Sequence, residues 1–306
     1  MHRFENILFT PLGRYDNPAA LRRVTELVEN KAARFTLLGV VEAPSRLQRL
    51  LHRPGLVDEV VTAERTRVER DLQRLADRAS TSADVIVEAG DAALSIIEQV
   101  VTDGHDLVVV TSDEDREDHA TIRRLLRKCP CPVWVIRPTR ARIQRVLAAV
   151  NPDPNEIELN RTILELASSM VRLHRSELHV VHAWELYGES TMRGSAFLHV
   201  PPAELEAMLA EERTKHDEAL AELLASVEPP PIAWEVHLLK GPAPQVVPAL
   251  VAERRINLLV MGTVARTGVN AMVMGNTAER VLDEVRCSVI AIKPKGFVSP
   301  IKPQPA

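Results

Sequence analysis

The chain has 306 residues, of which 45% are hydrophobic and 26% charged, with a formal net charge of −4. Those values describe a globular protein of one large domain or two ordinary ones. The slightly acidic balance and an aromatic content of only 3% exclude a basic nucleic-acid surface, a base-stacking platform and electrostatic attraction to an anionic membrane.

In chain order, the first apolar run is Asn6 to Leu12. Leu21, Val24, Leu27 and Val28 then fall at helical spacing. A second run covers Thr36 to Ala43, and a longer helical stripe follows through Val61, Val68, Leu72, Leu75 and Ala79. The Arg, Glu and Asp residues mixed through Glu64 to Arg78 form that helix's solvated face. Further runs occupy Val85 to Gly90, Asp106 to Thr111 and Pro132 to Pro138. The pattern then starts again. Runs at Arg145–Asn151, Leu178–Glu185, Val236–Gly241, Asn257–Gly262 and Ser288–Pro294 repeat the first five in type and setting. Helical stripes recur too, through Ile163, Leu166, Ala167 and Met170, and through Leu205, Leu209, Leu220 and Leu224. Cys131 and Cys287 stand at the same place, just before the last run of each half.

Apolar runs alternating with amphipathic helices predict right-handed βαβ units and an α/β fold of parallel sheets covered by helices on both faces. The expected domains are 1–140 and 141–297, with a flexible Pro-rich tail over 298–306. Three cysteines, Cys129, Cys131 and Cys287, argue against a disulfide framework and for a reducing compartment. Cys129 and Cys131 have only Pro130 between them and no second pair, so a zinc site is not expected there. No basic-then-apolar leader and no apolar run of spanning length is seen, so no membrane contact and a cytoplasmic location are expected.

The most informative stretch is Met261 to Glu279. An apolar run ends at Gly262, a loop carrying Gly268 and Gly275 follows, and a helix is predicted to open at Asn276-Thr277-Ala278-Glu279. A glycine loop lets backbone approach a ligand, and the free N–H groups and dipole of a helix N-terminus favour phosphate. The first expectation is therefore a phosphate-bearing ligand at the C-terminal ends of a parallel sheet. Lys240-Gly241 is not a Walker loop, and no dinucleotide fingerprint occurs.

The tandem arrangement, the segments Gly262-Thr-Val-Ala-Arg-Thr-Gly268 and Gly275-Asn-Thr-Ala-Glu279, and Leu126-Arg-Lys-Cys-Pro130 resemble the universal stress protein family, most of all its two-domain bacterial E-type members. The resemblance covers nearly the whole chain. It implies two five-stranded parallel sheets of strand order 3-2-1-4-5, an adenine-nucleotide alpha-hydrolase-like fold, and in many members ATP held by a Gly-x2-Gly-x9-Gly-Ser/Thr signature. Carried onto this chain, Gly262 is the first glycine, Ala265 stands where the second would be, Gly275 is the third, and Asn276 replaces the hydroxyl residue with Thr277 next. Asn151 occupies the position of the acid that faces the ribose, with Asp153 two residues on. Ala149 and Ala183 are the implied adenine-side backbone positions, and Met261 lies beside the phosphate loop.

Several of these residues have plainer readings. A methyl at Ala265 costs roughly 1 kcal/mol if φ is positive there, as suits a rigid connector. Asn276 can cap the helix, with Glu279 closing a capping box, or donate to a phosphate. Asn151 can accept from a ribose hydroxyl or serve as a turn residue before Pro152, and lacks the charge to hold Mg²⁺ well. Arg266 is either a phosphate clamp or a solvated loop charge. His179 and His182 should point to opposite faces of a strand, so a metal site made by them with His174 is not expected. Ser112, Asp113, Asp115 and His119 read as a solvated loop rather than a triad.

The repeat supplies an internal control. Gly262 to Cys287 spans 25 positions and Thr111 to Cys131 only 20, with no glycine in between. Asp113, Glu114 and Asp115 stand where phosphates would sit, and like charges repel. The first half is therefore expected to be structural. In the family that the chain resembles, dimers often form by antiparallel contact of the last strands, and the resemblance implies that Val133–Ile136 and Val289–Ile292 make that contact within one chain, an intramolecular pseudo-dimer that could itself pair. Tethering would hold the halves at about millimolar effective concentration.

Three functions follow: a stress-linked sensor or adaptor binding ATP, with or without Mg²⁺, in the second half; a slow ATPase or phosphotransferase; or a binder of an amphipathic ligand or protein partner in a cleft lined by Gly188–Pro202 and Arg46–Leu56. No nucleophile–base pair can be placed in the candidate site, so no catalytic residue is assigned.

Overall fold

A computed structural model describes residues 4–12, 17–31, 33–44, 55–112, 116–137, 142–195, 198, 200–227, 233–263 and 275–302. The chain forms two compact units. One is built on Arg142–Ala265 and Gly275–Cys287, the other on Arg3–Ala141 and Ser288–Ala306.

The unit that contains the N-terminal half carries β1 (Asn6–Thr10), α1 (Pro18–Lys31), β2 (Arg34–Glu42), α2 (Leu56–Arg78), β3 (Asp84–Gly90), α3 (Ala92–Asp103), β4 (Leu107–Thr111), α4 (Arg116–Lys128) and β5 (Val133–Ile136). Its strands lie in the order β3-β2-β1-β4-β5, all parallel. Every residue of β1, β4 and β5 is buried. Strands buried on both faces read as continuous apolar runs rather than alternating ones, which is why LVVV and VWVI were visible as strands. In the same unit β10 (Ser288–Ile292) pairs antiparallel with β5, in the register Val289↔Val135, Ile290↔Trp134 and Ala291↔Val133. The expected meeting of these two segments is realised. Phe297 is tied down by its N–H to the Pro294 carbonyl, 3.2 Å, and by the Lys293 ammonium 4.8 Å from its ring centre.

The second unit carries β6 (Arg145–Ala149), a 3-10 turn (Pro154–Glu156), α5 (Ile157–His174), β7 (Glu177–Trp184), α6 (Glu189–Gly194), α7 (Pro202–Ala225), β8 (Trp234–Lys240), α8 (Ala243–Glu253), β9 (Leu258–Gly262) and α9 (Asn276–Glu284). Its strands run β8-β7-β6-β9, again parallel. The helical stripe of α7 buries Leu205, Leu209, Leu220 and Leu223. Leu223 therefore takes the inward place expected for Leu224.

The repeat extends to hydrogen bonding. The Asp106 carboxylate accepts from the N–H groups of Glu5 and Asn6, at 2.6 and 3.0 Å. At the matching place the Asn257 Oδ1 accepts from Gln144 and Arg145, at 2.8 and 3.1 Å. Each of these side chains satisfies the strand start that lies beside it. The link from α3 to β4 turns through Gly104 at φ 67°, and the equivalent link from α8 to β9 passes through Arg255 at φ 49°.

Candidate functional site

The candidate residues converge at the C-terminal ends of β6 and β9 in the second unit. Register pairs Ala149 with Val181 on one side and Met261 on the other. Ala183 lies two residues further along β7 and pairs with Leu239. Met261 is buried, while Ala149, Ala183 and Gly262 are half-buried. Ala265 falls outside the described residues, as do Arg266 and Gly268. The chain returns at Gly275, whose N–H donates to the Thr263 carbonyl at 3.0 Å. The loop's two ends are thus stitched together beside the strand ends.

α9 begins at that stitch. Gly275 is its N-cap residue at φ −65°, ψ 139°, and among the described residues no side chain caps the helix. The expected capping box is therefore displaced. Asn276 is the first helical residue, exposed with Thr277, and Glu279 lies four residues past the Gly275 N-cap, one too far to close a box. The first-turn N–H groups of the helix stand at the end of the sheet.

Gly262 is explained without a ligand. A Cβ there would lie 2.9 Å from Leu159 Cδ2 and 3.7 Å from Ile163 Cδ1. α5 packs closely on the strand there, so any side chain at 262 must displace the end of Leu159.

The Asn151 position is more elaborate than its sequence suggests. Asn160, 2% exposed on α5, accepts from the Asn151 N–H at 2.9 Å and donates to the carbonyls of Asn151 and Glu156. Asp153 caps the 3-10 turn by accepting from the Asn155 N–H at 2.9 Å. The Asn151 side-chain amide donates to the Glu156 carboxylate at 2.9 Å. A carboxylate therefore stands beside Asn151 although residue 151 itself is neutral. Sequence reasoning missed Glu156 and Asn160; the only signal was their i, i+4 spacing behind a Pro turn.

His182 is buried at the end of β7, with Nδ1 3.2 Å from the Val150 carbonyl and Nε2 2.8 Å from His216 Nδ1. The His216 ring stands 5.7 Å from that of Trp184, and its Nε2 is 3.5 Å from Glu212. His182 thus fixes the backbone between Ala149 and Asn151. His179 makes none of these contacts and meets His237 instead, as opposite faces require. Trp184, Leu205 and Leu209 form a buried cluster against which Met192, Val200 and Leu238 pack. Part of the Gly188–Pro202 insertion is therefore absorbed by its own unit; Arg46–Pro54 lies outside the described residues.

In the first half, Ser112 is buried and its N–H donates to the Ile136 carbonyl at 3.0 Å. His119 is exposed on α4, and Asp113 to Asp115 lie outside the described residues. Ser112 is thus a buried strand end rather than part of a solvated loop. Among the described residues no helix is long and apolar enough to cross a membrane.

Comparison with known proteins bears on the fold and the family. Universal stress protein E of Photorhabdus laumondii is 26% identical over 99% of both chains. The Haemophilus influenzae homolog of universal stress protein E is 28% identical, covering 95% of this chain and 98% of its own. Among solved structures, a functionally unknown Pseudomonas aeruginosa protein superposes with TM-score 0.65 at 22% identity, covering 95% of this chain and 93% of that one. A universal stress protein of Archaeoglobus fulgidus does so with TM-score 0.64 at 19% identity, covering 95% and 97%. At those identities the likeness is one of fold. The family model described as "Universal stress protein family" matches residues 4–137 and again 142–293, and this protein belongs to that stress-response family as a chain of two such domains.

Proposed function

We propose that the second half binds an adenine nucleotide and that the chain acts as a cytoplasmic stress sensor or adaptor through it. One observation carries this reading: the 3.0 Å bond from Gly275 to Thr263 brings a helix N-terminus, without a side-chain cap among the described residues, to the ends of β6 and β9. An anion beside such an N-terminus gains roughly 0.3–1 kcal/mol when exposed and up to about 2 kcal/mol when partly buried. Ala149, Ala183 and Met261 border the sheet end on the side an adenine would use. The Asn151–Glu156 pair offers an amide and a carboxylate to ribose hydroxyls. Mg²⁺, where bound, would draw on the nucleotide's own phosphates and on Glu156 rather than on Asn151.

The test is native mass spectrometry of the purified chain, followed by calorimetry with ATP and Mg²⁺. One equivalent of nucleotide, weakened at least tenfold by Gly275→Val in a variant of unchanged melting temperature, is the expected result. Absence of binding in both measurements sinks the reading. A slow ATPase is the second reading, favoured by Glu156, which places a carboxylate where residue 151 lacks one. Phosphate release that survives Glu156→Gln would remove that role.

A further inference from the structure

A second cluster lies in the same unit, on residues that the nucleotide reading does not use. β7 and β8 pair in the register His179↔Glu235 and Val181↔His237. Because side chains alternate along a strand, His179, Glu235 and His237 all project from one face. His179 Nδ1 and His237 Nε2 are 3.1 Å apart. The carboxylate of Glu235 stands 3.6 Å from the first and 3.8 Å from the second. One ligand atom from each residue falls within a 4.8 Å span.

We infer that His179, Glu235 and His237 form a binding site for a single divalent transition-metal ion, with Zn²⁺ the fitting choice. Two imidazole nitrogens on one tetrahedral zinc, each at about 2.0–2.1 Å, sit about 3.3 Å apart, close to the separation found here. Two histidines and a carboxylate are a zinc ligand set, with a fourth position left for water or another donor. Both imidazoles are buried, at 4% and 8% exposure, whereas the Glu235 side chain is 48% exposed. β8 ends the strand order of this unit. An ion can therefore enter along the Glu235 side.

The surroundings supply an outer shell. The tautomer that frees Nδ1 of His179 puts its proton on Nε2, a buried atom with no hydrogen-bond partner among the described residues. Glu177 Oε2 stands 3.9 Å from that nitrogen and is itself held by Arg145 at 2.9 Å. A carboxylate behind a ligating imidazole orients it and raises its basicity. Arg254 lies 2.9 Å from Glu235 Oε1 and 3.3 Å from Glu253 Oε1. The charged groups around the two imidazoles are thus Glu177, Glu235 and Glu253 against Arg145 and Arg254, an acidic excess of one that a divalent ion would offset.

The test uses the full chain with Cys129, Cys131 and Cys287 changed to Ser, so that thiols cannot hold the ion. After chelator treatment it is titrated with Zn²⁺ by calorimetry and with Co²⁺ by visible absorption. One equivalent and the strong absorption of low-coordinate Co²⁺ are expected. Glu235→Gln should weaken Zn²⁺ binding, and adding His237→Ala should abolish it. Glu177→Gln should weaken it about 10-fold or more. Because Glu235 is half exposed, Glu235→Gln keeps the fold intact for comparison. No bound equivalent, or undiminished binding in the Glu235→Gln/His237→Ala double variant, would overturn the assignment and leave a hydrogen-bonded histidine pair.

Discussion

Gly262→Ala separates packing from ligand binding. The new methyl would sit 2.9 Å from Leu159 Cδ2, 3.6 Å from Leu159 Cγ and 3.7 Å from Ile163 Cδ1. Only the first of these is closer than ordinary contact, so the cost falls on one leucine. Leu159 is buried on α5, and overpacking of this kind costs about 1–3 kcal/mol. Leu159→Ala alone removes buried methyl groups at about 2–5 kcal/mol. In the double variant the alanine methyl occupies part of the space that the leucine leaves. The cost of the double variant should therefore fall short of the sum of the two single costs by at least about 0.5 kcal/mol. The assay is urea unfolding of all four proteins, followed through the fluorescence of Trp134, Trp184 and Trp234. Strict additivity would refute the packing account of Gly262 and return that glycine to the ligand.

Other consequences follow from the same contacts. Gly39 of β2 faces α2 so closely that a Cβ would overlap Val68 and lie 2.8 Å from Leu72 Cδ1; Gly39→Ala should cost about 1–3 kcal/mol, read as a lowered urea midpoint. Asn160→Ala leaves the Asn151 N–H and two carbonyls without their partner; it should cost about 1–3 kcal/mol and weaken nucleotide binding, measured by unfolding and calorimetry. Arg255 holds φ 49° where the repeat has Gly104, so Arg255→Gly should raise stability by about 1 kcal/mol. Burial holds the His105 pKa below its ordinary value, opposed by the Gln99 carbonyl and Asp103. With the folded pKa depressed, the unfolded chain takes the proton first. The His105 contribution to stability is therefore intact above about pH 6.5 and is lost as pH falls below it towards the folded pKa; His105→Gln should flatten the urea midpoint across that window.

The strands were legible because most are buried on both faces, and a doubly buried strand leaves a continuous apolar run such as LVVV or VIAI. The meeting of β5 with β10 was legible through the family resemblance, which implies antiparallel contact of the last strands. Finer features were not. α9 opens at Asn276 as expected, but its N-cap is Gly275 rather than Asn276, because the N–H bond to Thr263 closes the loop at Gly275. Leu223 turns inward in place of Leu224, a one-residue rotation that hydrophobic spacing does not resolve. Glu156 could not be seen as a substitute for an acid at position 151, since only the folded turn brings its carboxylate to that amide. His179 and His237 are 58 residues apart in sequence and come together through the β7–β8 register alone.

The central claim is that the second half, and not the first, holds an adenine nucleotide. Equilibrium binding of ATP with Mg²⁺ to the intact chain, with bound nucleotide counted per chain, tests it most directly. The account predicts one nucleotide per chain, lost in Gly275→Val and retained when Ser112 of the first half is changed to Ala. Two nucleotides per chain, or none, would contradict it.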